Sequence, residues 1–99
     1  MTDLEITKLC AEAVEIKSLR GEYWIQHADG NRVKYNPLHD DAQAMALVKK
    51  FELALHKYKG DWFANWEVNS IVGGSDKDLN RAICECVAKM QAAKARAAA

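Results

Sequence analysis

The residues best suited to chemistry stand together at His39, Asp40 and Asp41, just after the only proline, Pro37. Imidazole and carboxylate groups are common acid–base catalysts and metal ligands. Three consecutive residues, however, converge on one ion only if the loop has a special shape. A regular apolar pattern follows at once, and a carboxylate at such a place accepts the free amide hydrogens of a helix N-terminus. We therefore interpret Asp40 or Asp41 as a helix cap, with a catalytic or metal role centred on His39 as the alternative.

The cysteines are the next candidates for chemistry. Cys84 and Cys86 are separated by one residue on a predicted helix, which places them about 200° apart around its axis. Their sulfurs then point to opposite sides and do not share a metal, and zinc ligands usually have two to four residues between them. Cys10 and Cys86 fall on apolar stripes, so we interpret them as core residues. Three cysteines, an odd number, suit a reducing compartment better than a disulfide framework.

The remaining polar residues form no pattern typical of an enzyme. His27 and His56 have no serine or cysteine partner at a recognisable catalytic spacing. Gly73-Gly74 is not followed by the Lys-Ser/Thr pair of a phosphate-binding loop. We predict that the protein is not an enzyme and binds neither a cofactor nor a metal.

Basic residues suggest a polymeric ligand. They lie along the predicted middle helix and on one face of a predicted hairpin, beside Tyr23. The set is Arg32, Lys34, Lys49, Lys50, Lys57 and Lys59. Aromatic side chains among cations on a sheet stack the bases of single-stranded nucleic acids. Lysines on the outer face of a helix also simply keep it solvated, and 14 Lys and Arg are balanced by 14 Asp and Glu. Nucleic-acid binding is therefore the alternative function.

Large apolar side chains on both faces of the predicted strands suggest a protein partner. We expect Trp24, Trp62 and Trp66 in the core. Tyr23, Ile25 and Phe63 are the candidates for a partly exposed contact patch, because aromatic residues are common interface anchors. The partner is either another protein or a second copy of the chain, and the exposed edges of a small sheet offer a further means of pairing.

Helix signals divide the chain into three helical segments. Thr2 and Glu5 form a capping box for a helix over roughly 3–17. The middle helix is predicted from Asp41 to Tyr58, with Gly60 ending it. Residues 69–78 are predicted as a loop, with Ser75 or Asp76 capping the last helix, and the tail 94–99 is expected to fray.

Strand signals lie between these helices. Asp29-Gly30 predicts a two-residue hairpin turn that sets Gln26 opposite Val33 and Trp24 opposite Tyr35. Trp24, Val33 and Tyr35 then form the core face. Residues 61–68 alternate as a third strand. The prediction is an α+β fold of order α-β-β-α-β-α, a small three-stranded, mainly antiparallel sheet packed with three helices, with strand order open.

Composition limits the class of protein. Ninety-nine residues with 49% hydrophobic content predict a single globular domain over 1–99. Because no apolar run reaches about 18 residues and the start lacks the features of a signal peptide, we expect no membrane partner and a cytoplasmic location.

The run YNPLHDDAQAMALVKKF (35–51), followed later by DLNRAICECVAKM (78–90), resembles the phage ABA sandwich domain, a family of small phage and prophage proteins. The resemblance covers the middle helix, the Trp-bearing strand and the last helix. It implies an α/β sandwich and a host bacterial cytoplasm, but no activity and no functional residues. The sequence as a whole predicts a small phage-type protein that acts by binding another protein.

Overall fold

The computed structural model of the chain describes residues 1–66 and 73–98. Within them, three helices alternate with two three-stranded antiparallel sheets, of strand order β1-β2-β3 and β4-β5-β6. The elements are α1 (Asp3–Ala13), β1 (Ser18–Leu19), β2 (Glu22–Gln26), β3 (Arg32–Lys34), α2 (Asp41–Phe51), β4 (Ala54–Tyr58), β5 (Asp61–Asn65), β6 (Gly73–Asp76) and α3 (Leu79–Ala98). The predicted α+β class with three helices is confirmed, but two small sheets replace the single sheet that was expected.

The first helix begins as predicted and ends early. Thr2 Oγ1 accepts the amide hydrogen of Glu5 at 3.2 Å, which confirms the N-terminal cap. The helix ends at Ala13 rather than near residue 17, because Glu15 adopts a left-handed conformation with φ of 61°. The Ile16 amide then donates to the Ala11 carbonyl at 2.9 Å, the six-to-one bond of a Schellman motif.

The middle helix also ends early, so the prediction that it continues to Tyr58 is wrong. Glu52, with φ of 54°, lies in the left-handed region, and the Leu53 amide donates back to the Val48 carbonyl at 3.0 Å. Residues Ala54–Tyr58 pair with the next strand instead. The short run LALHKY (53–58) fits the alternation of a strand as well as the apolar stripe of a helix. Pairing with a neighbouring strand decides between the two structures.

The first sheet has a register one residue away from the prediction. The Asp29 carboxylate accepts hydrogen bonds from the Asn31 amide at 3.0 Å and from its side chain at 3.1 Å. This turn lengthens the loop to 27–31, closed by a bond from the His27 amide to the Asn31 carbonyl. Ile25 consequently pairs with Val33, not with Lys34.

A one-residue slip exchanges the two faces of a strand. The inner face therefore carries Tyr23, Ile25, Val33 and Tyr35. Trp24 lies on the outer face, with Lys34 as its cross-strand neighbour. Tyr35 is buried as predicted, but Val33 is 39% exposed. The prediction that Trp24 belongs to the core face is wrong.

The second sheet contains a tight turn where the end of a helix was predicted. Lys59 and Gly60 have φ of 51° and 86° and join Tyr58 to Asp61, as a type I′ hairpin turn requires. Gly60 therefore turns a hairpin and does not end a helix. Residues 67–72, which include the predicted end of the strand at 68 and start of the loop at 69, lie outside the described residues.

The segment Gly73–Asp76, predicted as a loop and helix cap, forms the edge strand β6. Asp78 caps α3 instead of Ser75 or Asp76, because its carboxylate accepts the Asn80 amide hydrogen at 3.1 Å. The helix continues through Ala98, so residues 94–98 are helical, and their fraying stays a prediction.

Helix α3 forms the centre of the core. Its residues 82–84 and 86–88 are fully buried, and it packs against α1, α2, β5 and β6. A helix buried on most of its circumference is apolar on most of its faces. Trp62 packs against this core as predicted, whereas Trp66 is 39% exposed, contrary to prediction. No helix in the described ranges combines the length and apolar character needed to cross a membrane.

Candidate interaction surfaces

Two residues of the cluster at His39, Asp40 and Asp41 make structural contacts. Asp40 Oδ1 accepts the Gln43 amide hydrogen at 3.0 Å and is the N-cap of α2, which confirms the capping interpretation. Asp41 Oδ1 accepts from the Asn80 side chain at 2.7 Å and links α2 to α3. His39 is exposed. In residues 1–66 and 73–98, no three His, Cys, Asp or Glu side chains converge as metal ligands.

The cysteines lie in the core, as predicted for Cys10 and Cys86. All three are fully buried and free, and Cys10 Sγ donates to the Cys84 carbonyl at 3.4 Å. The adjacent Cys84 side chain and burial raise the pKa of Cys10 far above its ordinary value, and burial raises the pKa of Cys86. Because the thiolate is the reactive form, these thiols are poor nucleophiles.

Arg81 forms a partly exposed ion cluster at the start of α3. It contacts Asp3 of α1 at 2.5 Å, Glu85 at 3.1 Å and Asp76 of β6 at 3.8 Å. The hydrogen bond from Arg81 holds the pKa of Asp3 below its usual range. The four side chains join three elements and satisfy one another, which indicates a structural role.

The basic residues predicted to follow one helix lie on several elements. Lys49 and Lys50 lie in the last turn of α2, whereas Lys57 and Lys59 belong to the hairpin that follows it. The Nζ of Lys57 lies 5.4 Å from the centroid of the Trp62 ring, and the Nζ of Lys59 lies 5.3 Å from the centroid of the Tyr58 ring. The prediction of one continuous basic helix over 49–59 is therefore wrong.

Arg32 and Lys34 lie instead on the outer face of the first sheet. They share that face with the half-buried Trp24, and Lys34 pairs weakly with Glu22 at 3.8 Å. An open hollow on this face is lined by Leu19, Arg20, Glu22, Trp24 and Arg32. The local charge is positive, and we name this surface the basic face.

The three predicted contact residues separate onto two surfaces. Tyr23 and Ile25 are half-buried on the inner face of the first sheet and pack against the core. Phe63 lies on the outer face of the second sheet, next to His56 and Ser75 in the register. The structure therefore does not bring the three together, and only Phe63 lies on a surface that no described element covers.

The outer face of β4-β5-β6, here named the aromatic face, has an aromatic centre. The His56 and Phe63 rings stack with centroids 5.0 Å apart and planes within 6°. Tyr58 is 60% exposed beside them. By alternation the face consists of Ala54, His56, Tyr58, Asp61, Phe63, Asn65, Gly73 and Ser75.

Sequence reasoning missed His56 and Tyr58 because it placed both in a helix. The signal that reveals them is the alternation of Ala54, His56 and Tyr58 with Leu55 and Lys57, ahead of Lys59-Gly60. Leu55 and Ala64 face the core on the opposite side of the sheet.

The fold and these surfaces define a small α+β protein with two sheet faces that no element in 1–66 or 73–98 covers. Comparisons with models of known protein families, with curated proteins and with solved structures find no match. Functional inference therefore depends on the geometry of the two faces.

Proposed function

We propose that the protein acts without catalysis, by binding another protein through the aromatic face. The observation that carries the proposal is the stacked His56–Phe63 pair with Tyr58 exposed beside it. Aromatic side chains surrounded by small polar residues resemble the centre and rim of a protein interface. The origin in phage and the cytoplasmic location, both predicted from sequence, belong to this proposal.

A second copy of the chain is the partner to test first. The net charge of zero leaves little repulsion between copies. The aromatic face supplies far fewer residues than the roughly 20 to 30 per side of a standard interface. We therefore expect weak self-association, with a dissociation constant of about 10 µM or higher.

The test combines NMR dilution with light scattering on the wild type, Phe63→Glu and Met45→Glu. Met45 is a matched control, because it is an exposed apolar residue on α2, away from the face. We expect the signals of His56 and Tyr58 to shift with concentration in the wild type and in Met45→Glu, but not in Phe63→Glu.

A pull-down from bacterial lysate covers the case of a different protein partner. Capture by the wild type and Met45→Glu, but not by Phe63→Glu, supports the aromatic face. If the wild type neither self-associates nor captures a protein in this Phe63-dependent way, the proposed function is wrong.

The second candidate function is binding of single-stranded nucleic acid on the basic face. It is favoured by Trp24, which lies directly opposite Lys34 and diagonal to Arg32 on one face, an arrangement that suits base stacking next to phosphates. Titration of a fluorescent oligothymidine should show affinity that falls steeply with salt and is lost in Arg32→Ala/Lys34→Ala. Lack of binding at about 50 mM salt removes this candidate.

A further inference from the structure

A groove between the first sheet and α2 is separate from both sheet faces discussed above. It encloses about 410 Å³, within the range of small-molecule sites. Its walls come from the end of α1, the inner face of the β2-β3 hairpin and one side of α2. The apolar wall residues are Val14, Ile16, Ile25, Val33, Ala46 and Leu47.

The polar side chains beside these walls differ in whether they already form hydrogen bonds or ion pairs. Gln43 is fully engaged, since its Oε1 accepts the Asn36 amide hydrogen at 2.5 Å and its Nε2 donates to the Lys34 carbonyl at 3.0 Å. Asp40 is engaged as the cap of α2. Lys50 has no acidic partner among the described residues, and His27 shares the lining with it.

The groove therefore has apolar walls and a cationic end. Asp40 and Lys50 both line it and are ten residues apart on the helix, which corresponds to about 15 Å along the axis. Such a shape and charge complement an extended apolar chain with an anionic head. The head would meet the ammonium of Lys50, and the chain would cover Ile25, Val33 and Leu47.

We propose that this groove binds a linear amphipathic carboxylate, with the carboxylate at Lys50 and the hydrocarbon chain against the apolar walls. The inference does not depend on the protein-binding function, because the groove shares no residue with the aromatic face. Val33, 39% exposed in the free protein, becomes covered in the complex.

The experiment titrates decanoate into the protein by calorimetry and maps its site by NMR. We expect saturable binding of one molecule, with the largest shifts at the methyl groups of Val14, Ile25 and Val33. Decan-1-ol, which lacks the charge, should bind about fivefold more weakly, the scale of one exposed ion pair.

Lys50→Glu and Lys49→Glu form a matched pair of variants. Both change the charge of α2 by the same amount, but only Lys50 lines the groove. We expect Lys50→Glu to weaken decanoate binding about tenfold or more, and Lys49→Glu to change it less than about twofold. Ala46→Trp should fill the groove and abolish binding, with circular dichroism checking that the fold is kept.

Three results would overturn the proposal. The first is the absence of saturable decanoate binding to the wild type, a measurement that needs no variant to fold. The second is an equal effect of the two lysine variants, which would indicate general surface electrostatics. The third is a shift of the same methyl signals on dilution of the free protein, which would assign the groove to a second copy.

Discussion

At the scale of single residues, Gly74 leaves the least room for a side chain among the five glycines. A Cβ atom added there would lie 2.1 Å from the Ala82 carbonyl oxygen and 2.8 Å from the Cys86 amide nitrogen. Both contacts are with the backbone of α3, so no flexible side chain is able to move aside. The absent side chain allows β6 to pack directly on the central helix.

We predict that Gly74→Ala lowers the free energy of unfolding by about 3 kcal/mol, since overpacking against backbone forces the strand and helix apart. Urea denaturation gives the measurement. Gly60→Ala is the control, because a Cβ atom there meets no atom within 4 Å. Only the positive φ is unfavourable in this variant, and we expect it to lower the free energy of unfolding by about 1 kcal/mol. Equal losses in the two variants would contradict the close approach of β6 to α3.

At the scale of elements, two glutamates determine where helices stop. Glu15 and Glu52 both adopt positive φ at the ends of α1 and α2, a place that glycine usually occupies. The conformation is costly for a residue with a Cβ, and the surrounding packing imposes it. Leu53, buried directly after Glu52, anchors the turn that leads into β4.

We predict that Glu52→Gly raises the free energy of unfolding by about 0.5 to 1 kcal/mol, because the left-handed conformation costs glycine little. Thermal or urea unfolding measures the change. Glu12→Gly, at an exposed position inside α1, should lower stability by about 1 kcal/mol. A loss of stability in Glu52→Gly would mean that Glu52 does not hold this conformation in solution.

At the scale of the whole molecule, the core contains acids that the folded state keeps protonated. The thiols of Cys10 and Cys86 and the phenol of Tyr35 are buried, and the Tyr35 hydroxyl has no hydrogen-bond partner among the described residues. The adjacent Cys84 and burial raise the pKa of Cys10, and burial raises those of Cys86 and Tyr35, from ordinary values of 9.0 for the thiols and 10.0 for the phenol.

We predict that stability falls as the pH rises above about 9, where the unfolded chain loses these protons and the folded protein keeps them. Each group contributes up to about 1.4 kcal/mol per pH unit above its unfolded pKa. The urea midpoint should be lower at about pH 10.5 than at about pH 8.

Tyr35→Phe separates the phenol from the thiols in this pH dependence. It should flatten the decline above pH 10.0 and, by removing an unpaired buried hydroxyl, add about 1 kcal/mol at neutral pH. Tyr58→Phe, at an exposed position, is the matched control and should change the stability at neutral pH by less than about 0.5 kcal/mol. A midpoint independent of pH in the wild type would contradict the burial of these groups.

Features that depend on near neighbours along the chain are predictable from the sequence alone. Side-chain hydrogen bonds within one turn explain the caps at Thr2 and Asp40. The periodicity of apolar residues predicts the burial of Cys10 and Cys86 and the α+β class. The interpretation of His39, Asp40 and Asp41 as a helix start belongs to the same group.

Features that depend on partners distant in the sequence emerge only when the chain folds. The local pattern of Ala54–Tyr58 fits the period of a helix and that of a strand equally well. Pairing with Asp61–Asn65 makes the segment a strand. The register of the first hairpin depends on a side-chain turn at Asp29, and a slip of one residue moved Trp24 to the outer face. The aromatic face depends on the same pairing, because the alternation of Ala54, His56 and Tyr58 sets them on one face only when the segment is a strand.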